Sequence, residues 1–329
     1  MTSGSASSRA SAPTRRHDEF PAATLLDAKG RQTVSVCLPA RNEAATVGAI
    51  VAAIRQDLLA PGVVDEIVVV DDHSSDATAE EARRAGAHVV HAADVLTDFG
   101  RGHGKGEVLW KSLHVSRGDI VVWCDADIRD FDVRFVRGVL GPLLTDPDCY
   151  FVKGHYHRPE AEGTGGGRVT ELVARPLLSM FFPELCGIIQ PLSGEYGGRR
   201  AMLEAVPFVC GYGVDVGLLI DLSRRFGFDG IAQVDLDVRH HRNRPLDELS
   251  PQATAVAQTI LERAHPGLVD QRVDLIRPDR EDTAVAFTER PPIASLERGR
   301  APGPKPRGTR ASRDDEGVAD QAASNIFTT

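Results

Sequence analysis

Apolar positions fall into two rhythms along this chain. Short continuous runs rich in Val and Ile recur at Thr33–Pro39 (TVSVCLP), Glu66–Asp71 (EIVVVD) and Asp119–Cys124 (DIVVWC), with a briefer one at Ala87–His91. Runs of that length and β-branched content predict strands buried on both faces. Between them, Asn42–Leu58 carries Val47, Ile50, Val51 and Ile54 at helical spacing, and Ala77–Ala85 and Glu107–Ser116 also read as helices. Strands alternating with helices imply an α/β fold, a mainly parallel central sheet with helices on both faces. Sheets of this kind bind ligands at the carboxyl ends of their strands, so the polar residues just beyond each run matter most.

The second half is less regular. Ile231–His241 alternates as a strand, with Val234, Leu236, Val238 and His240 on one face and Asp235, Asp237, Arg239 and His241 on the other. Ser250–Ala264 reads as a helix. Residues 1–30 are predicted to be a disordered arm and 291–329 a disordered tail, both poor in large apolar groups. The expected organisation is a first part over 31–155, built on these strands, and a second, C-terminal and mostly helical part over 156–290.

Composition narrows the setting. Hydrophobic residues make up 42% of the chain but aromatics only 5%, so the core must be aliphatic. The net charge of -9 leaves no broad basic footprint for nucleic acid or an anionic membrane. Five cysteines, none at C-x-x-C spacing, argue against a disulfide framework or zinc knuckle and for a reducing compartment. Met1–His17 has no apolar signal core, and no stretch approaches the roughly 20 apolar residues of a membrane span. A cytoplasmic protein without stable membrane insertion is expected.

Three strand ends carry polar clusters: Pro39-Ala40-Arg41-Asn42-Glu43, Asp71-Asp72-His73-Ser74-Ser75-Asp76 and Asp125-Ala126-Asp127. Each alone could simply cap the next helix. A parallel sheet would bring all three together, which favours a site. Asp125 and Asp127 are two apart, so in extended backbone their carboxylates point the same way and could hold a hard divalent cation. Such an ion neutralises a departing diphosphate. The segment Gly100-Arg101-Gly102-His103-Gly104-Lys105-Gly106 reads as an anion-binding loop opening a helix, with Lys105 as a point charge. A plain surface loop is the alternative. Thr164–Thr170 reads the same way, with glycines before a helix and Arg168 as a fork for phosphate, or else as a linker with a surface arginine.

In this order, PARNE, VDDHSSDAT, GKGEVLW and the D-x-D resemble the GT-A glycosyltransferases that use sugar nucleotides. GGGRVTELVARP from Gly165, QPLSGEY from Gln190, GYGV from Gly211 and HRNRPLDEL from His241 narrow the resemblance to the glucosyl-3-phosphoglycerate synthase family. The likeness spans about residues 31–250 and leaves both tails out.

The resemblance implies transfer of glucose from a nucleotide diphosphate sugar to the 2-hydroxyl of 3-phospho-D-glycerate, with retention at the anomeric carbon. It implies Mg²⁺ or Mn²⁺ held by Asp127 and His241. On this reading Pro39, Ala40, Arg41, Glu43, Asp72, Lys105, Asp125 and Ala126 bind the donor. Gly167, Arg168, Val169, Thr170, Arg239 and Asn243 bind the acceptor, and Arg158 is a looser match. Asp127, Lys105 and Asp215 are the expected catalytic residues, although the family carries Glu where this chain has Asp215. Arg41 and Ala126 also stand where relatives often differ. A homodimer is implied, with Ser250–Ala264 available to its interface. The competing readings are a mannosyl-3-phosphoglycerate synthase using GDP-mannose, a polyprenyl-phosphate transferase and a non-catalytic sugar-nucleotide-binding module.

Overall fold

The computed structural model describes residues 12–157, 167–239 and 246–296. In chain order the opening elements are β1 (Thr14–Arg16), α1 (Ala22–Lys29), β2 (Val34–Ala40), α2 (Val47–Ile54), β3 (Glu66–Asp71), α3 (Thr78–Ala85) and β4 (His88–His91). Then come α4 (Lys105–Val115), β5 (Ile120–Trp123), α5 (Arg134–Thr145), β6 (Phe151–His157), α6 (Arg175–Phe181), β7 (Tyr196–Arg199) and α7 (Arg200–Leu203). The remainder is β8 (Phe208–Val209), α8 (Val214–Phe226), β9 (Ile231–Val238), α9 (Leu246–Ala264), β10 (Arg272–Leu275), β11 (Thr283–Ala286) and β12 (Glu289–Arg290).

Eight strands form one sheet in the order β1-β9-β6-β7-β5-β2-β3-β4. β7 runs antiparallel to both neighbours, and every other pairing in the sheet is parallel. The continuous apolar runs are continuous because each strand feeds two cores. On β5, Ile120 and Val122 enter the layer that α2 and α5 cover, with Ile50, Ile54, Phe135 and Val139. Val121 and Trp123 enter the opposite layer, with Leu109, Trp110 and Leu219. The expected mainly parallel sheet with helices on both faces is therefore present.

Several expectations need correction. Residues 12–30 are not an arm. Thr14–Arg16 adds a parallel edge strand to β9, Phe20 is buried where Gly141 leaves room for its ring, and Leu25 of α1 is fully buried. Little in TRR advertises this, because the exposed edge supplies the backbone partners and few side chains need be apolar. At the other end, residues 291–296 pack rather than trail. Ile293 is buried and Trp110 Nε1 donates to the Pro291 carbonyl at 2.8 Å. The C-terminal part also holds two small antiparallel pairs, β10–β11 and β12–β8, beside its helix.

The first long helix starts at Val47, not Asn42. Asn42 sits at φ 57°, and its Oδ1 accepts the Ser75 N–H at 2.8 Å while its own N–H donates to Ser74 Oγ at 2.9 Å. Residues 42–46 are thus spent joining one strand end to the next.

Candidate active site

Local hydrogen bonds draw the polar strand ends into one cleft. The Glu43 N–H donates to Thr78 Oγ1 at 2.7 Å. Thr46 Oγ1 donates to the Ala126 carbonyl at 2.6 Å, and the Gly104 N–H donates to Asp72 Oδ2 at 3.1 Å. The cleft has a volume of about 880 Å³. Pro39, Ala40, Arg41, Glu43 and Asp72 line it, with Lys105, Asp125, Ala126, Asp127 and Asp215, and with Gly167, Arg168, Val169, Thr170 and Arg239. All the predicted site residues that are described therefore meet there. Arg158, His241 and Asn243 lie outside the described residues.

The acidic pair leaves β5 as predicted, and its carboxylates are already counter-charged. Asp125 meets Lys105 Nζ at 3.2 Å and Arg239 at 3.3 Å. Asp127 meets Arg239 at 2.8 Å. Burial alone would raise the Asp125 carboxyl, but Lys105 and then Arg239 hold it below the usual carboxylate range. Burial would likewise lower the Lys105 ammonium, yet Asp125 and Asp215 raise it above the ordinary lysine value. Asp215 Oδ1 lies 3.3 Å from Lys105 Nζ, an ion pair without hydrogen-bond alignment.

Arg239 is where the alternating reading of β9 fails. Alternation puts it on the face of Asp235 and Asp237. A register shift against β6 between His155 and His157, with Asp237 at φ 69°, breaks the period instead. Asp237 ends exposed, whereas Arg239 is only 5% exposed and turned into the cleft. There its Nη1 donates to Glu195 Oε1 at 2.6 Å and to the Tyr156 hydroxyl at 2.9 Å. Glu195 is completely buried. Burial pushes its carboxyl up and Arg239 opposes that shift.

The sequence reading assigned no role to Glu195, nor to Lys153. Lys153 is a fully buried lysine whose Nζ donates to the Ser193 carbonyl at 2.9 Å and lies 4.1 Å from the Tyr196 ring centre. Burial pushes its ammonium down to about 8. Signals existed: QPLSGEY is a distinctive motif, and Lys153 stands inside the apolar strand YFVKG.

The glycine loop also works differently from the prediction. A Cβ on Gly106 would strike the Val209 carbonyl, and the Glu107 N–H is bonded to the Cys210 carbonyl at 3.0 Å. The glycine and this helix-end amide serve close packing of α4 on the segment after β8. Gly104 and Lys105 face the cleft. The second glycine segment does precede a helix, as its sequence suggested. Gly167 at φ 86° opens a helical stretch that the Glu171 N–H to Gly167 carbonyl bond begins, at 2.9 Å, with Arg168 in its first turn. Arg175, one helical step beyond Glu171 and paired with it at 3.1 Å, adds a second guanidinium to the cleft wall.

Hard carboxylate oxygens at Asp125 and Asp127 suit Mg²⁺ or Mn²⁺. The Arg239 guanidinium bridging the pair shows that this spot demands positive charge. Fold and site together define a sugar-nucleotide glycosyltransferase of the GT-A type.

The profile of glycosyl transferase family 2 matches residues 35–189. The glucosyl-3-phosphoglycerate synthase of Mycolicibacterium smegmatis is 48% identical over 286 residues, 83% of this chain and 93% of the relative. That of Petrotoga mobilis is 42% identical over 292 residues, 83% and 90% respectively. Among solved structures, the Mycobacterium tuberculosis glucosyl-3-phosphoglycerate synthase with Mn²⁺, UDP-glucose and phosphoglyceric acid aligns at TM-score 0.79 and 44% identity, over 86% of this chain and 98% of that one. Mannosyl-3-phosphoglycerate synthase of Rubrobacter xylanophilus aligns at TM-score 0.78 and 38% identity, over 87% and 98%. The chain belongs to the glucosyl-3-phosphoglycerate synthase family.

Proposed function

We propose that this protein transfers glucose from UDP-glucose to the 2-hydroxyl of 3-phospho-D-glycerate, with retention at the anomeric carbon. The observation that carries this is a single cleft lined both by Asp125, Asp127 and Lys105 and by the Arg168 helix start. The reading is supported by relatives that match nearly end to end and by a relative solved with both substrates.

Arg168, with the helix-start amides beside it, holds the acceptor phosphate, and Arg175 lends further charge. Lys105, fixed between Asp125 and Asp215, presents an ammonium to the leaving diphosphate. Orientation in a near-attack arrangement supplies much of the rate. The bond from the anomeric carbon to the diphosphate breaks, the bond to the acceptor oxygen forms on the same face, and the acceptor proton passes to the leaving phosphate. Asp127, with His241 as its proposed partner ligand, would hold a divalent ion, which would further neutralise that leaving group. A glycosyl-enzyme trapped on Asp215 would overturn the front-face route.

A second reading, mannosyl transfer from GDP-mannose, is favoured by the Rubrobacter structure. A matrix of UDP-glucose, GDP-glucose and GDP-mannose, each with and without 3-phosphoglycerate and Mg²⁺, separates them. Turnover greatest with UDP-glucose supports the proposal, and turnover greatest with GDP-mannose refutes it.

Five cysteines without disulfide partners support a cytoplasmic setting, and no helix among the described residues is long and apolar enough to cross a membrane. We also propose a homodimer. α9 spends Val256 and Ile260 on its own protomer's core, so any interface uses its other face.

A further inference from the structure

Three side chains unrelated to the acidic pair converge where β3 meets the glycine loop. Asp72 is 6% exposed. Its Oδ2 accepts the Gly104 N–H, and its Oδ1 faces two imidazoles. His73 Nδ1 stands 3.0 Å from Oδ1 and His103 Nδ1 4.0 Å. The two rings lie tilted by 37° with centres 4.1 Å apart, and one donor atom from each of the three residues lies within 4.8 Å of the others. Tetrahedral bonds of about 2.1 Å separate ligand atoms by about 3.4 Å, a spacing that the two observed distances bracket.

His73 turns Nδ1 to the cluster; its Nε2, on the far side of the ring, has no hydrogen-bond partner among the described residues, so Asp72 is the ring's one hydrogen-bond partner there. The backbone shapes this presentation: His73 stands at φ 59°, and Gly102 and Gly104, which flank His103, at 56° and 97°. The Gly104 N–H donates to the Asp72 carboxylate and fixes the loop, so His103 is delivered to that carboxylate by a fastened segment.

We propose that Asp72, His73 and His103 form a second metal site, for a borderline transition ion such as Zn²⁺ or Co²⁺. Two imidazoles with one carboxylate suit those ions, whereas Mg²⁺ prefers oxygen throughout. The fourth position is left to water. Because Asp72 lines the donor cleft, an ion here takes its carboxylate from the nucleotide, and Zn²⁺ then weakens UDP binding. That consequence rests on the donor-binding role proposed above, but the site itself does not.

The test is calorimetric titration of Zn²⁺ alone into the full-length, metal-stripped chain, with Asp127→Asn as background to disable the first site. His103 is 63% exposed, so His103→Ala leaves the fold intact, and His73→Ala provides the second variant. We expect the Asp127→Asn protein to retain one Zn²⁺ that a large excess of Mg²⁺ does not displace. Adding either histidine substitution should weaken it at least about tenfold. No Zn²⁺ bound in the background, or affinity unchanged in both histidine variants, overturns the site. Zn²⁺ bound with UDP affinity unaffected keeps the site and refutes instead the placement of Asp72 against the nucleotide.

Discussion

Gly194 has no side chain for a reason that gives a measurable prediction. Its backbone is not in the left-handed region, so alanine is conformationally acceptable there. The obstacle is Asp125: a Cβ at Gly194 would stand 2.5 Å from the Asp125 carboxylate carbon. Comfortable carbon–carbon contact begins near about 3.5 Å. Gly194→Ala must therefore displace that carboxylate by about 1 Å from the place where Lys105 and Arg239 now hold it at 3.2 and 3.3 Å. Overpacking of this kind costs about 1–3 kcal/mol of stability. A misplacement of about 1 Å in a catalytic constellation costs about 100-fold in rate. The assay is kcat for glucosyl transfer beside thermal unfolding of the same preparation. We expect kcat to fall about 100-fold in a protein that still unfolds cooperatively. Wild-type kcat in Gly194→Ala would refute the claim that the position of Asp125 matters.

Asp127→Ala should remove metal-dependent turnover while leaving stability within about 0.5 kcal/mol, since the side chain is 47% exposed; unchanged turnover contradicts the assignment. Arg168→Ala removes a charged hydrogen-bond donor worth about 1.5–3 kcal/mol, so the KM for 3-phosphoglycerate should rise about 10- to 150-fold. Selective loss of nucleotide binding instead would contradict its role. Burial and then the Asp127 charge push the Glu43 carboxyl up to about 7 from an ordinary 4.5. The folded state holds that proton when the unfolded chain has released it, so this group's contribution to stability falls as pH rises from about 4.5 to 7. In the metal-free protein, the Tm of Glu43→Gln should therefore gain on wild type between pH 5 and pH 7.5, and a constant difference would refute the shift.

The parallel core was readable because its strands are buried twice over: EIVVVD matches β3 residue for residue. The meeting of the strand ends was readable for the same reason, since parallel topology brings PARNE, DDHSSD and DAD to one edge. What stayed hidden depends on long-range partners. The β1 strand borrows its ladder from β9, 219 positions away at the Thr14–Gln233 pair. The inward turn of Arg239 follows from a bulge that no spacing rule anticipates. Glu195 reads as an ordinary surface acid until its partner is known. Gly106 looked like a ligand cradle because a glycine chosen for packing and one chosen for anion approach are the same letter in sequence.

The most direct measurement combines the purified chain with UDP-glucose, 3-phosphoglycerate and Mn²⁺. It follows UDP release and the proton NMR spectrum of the product. UDP release should require 3-phosphoglycerate, and the product should be an α-linked glucosyl-3-phosphoglycerate. UDP release independent of the acceptor, or a β-linked product, would contradict this.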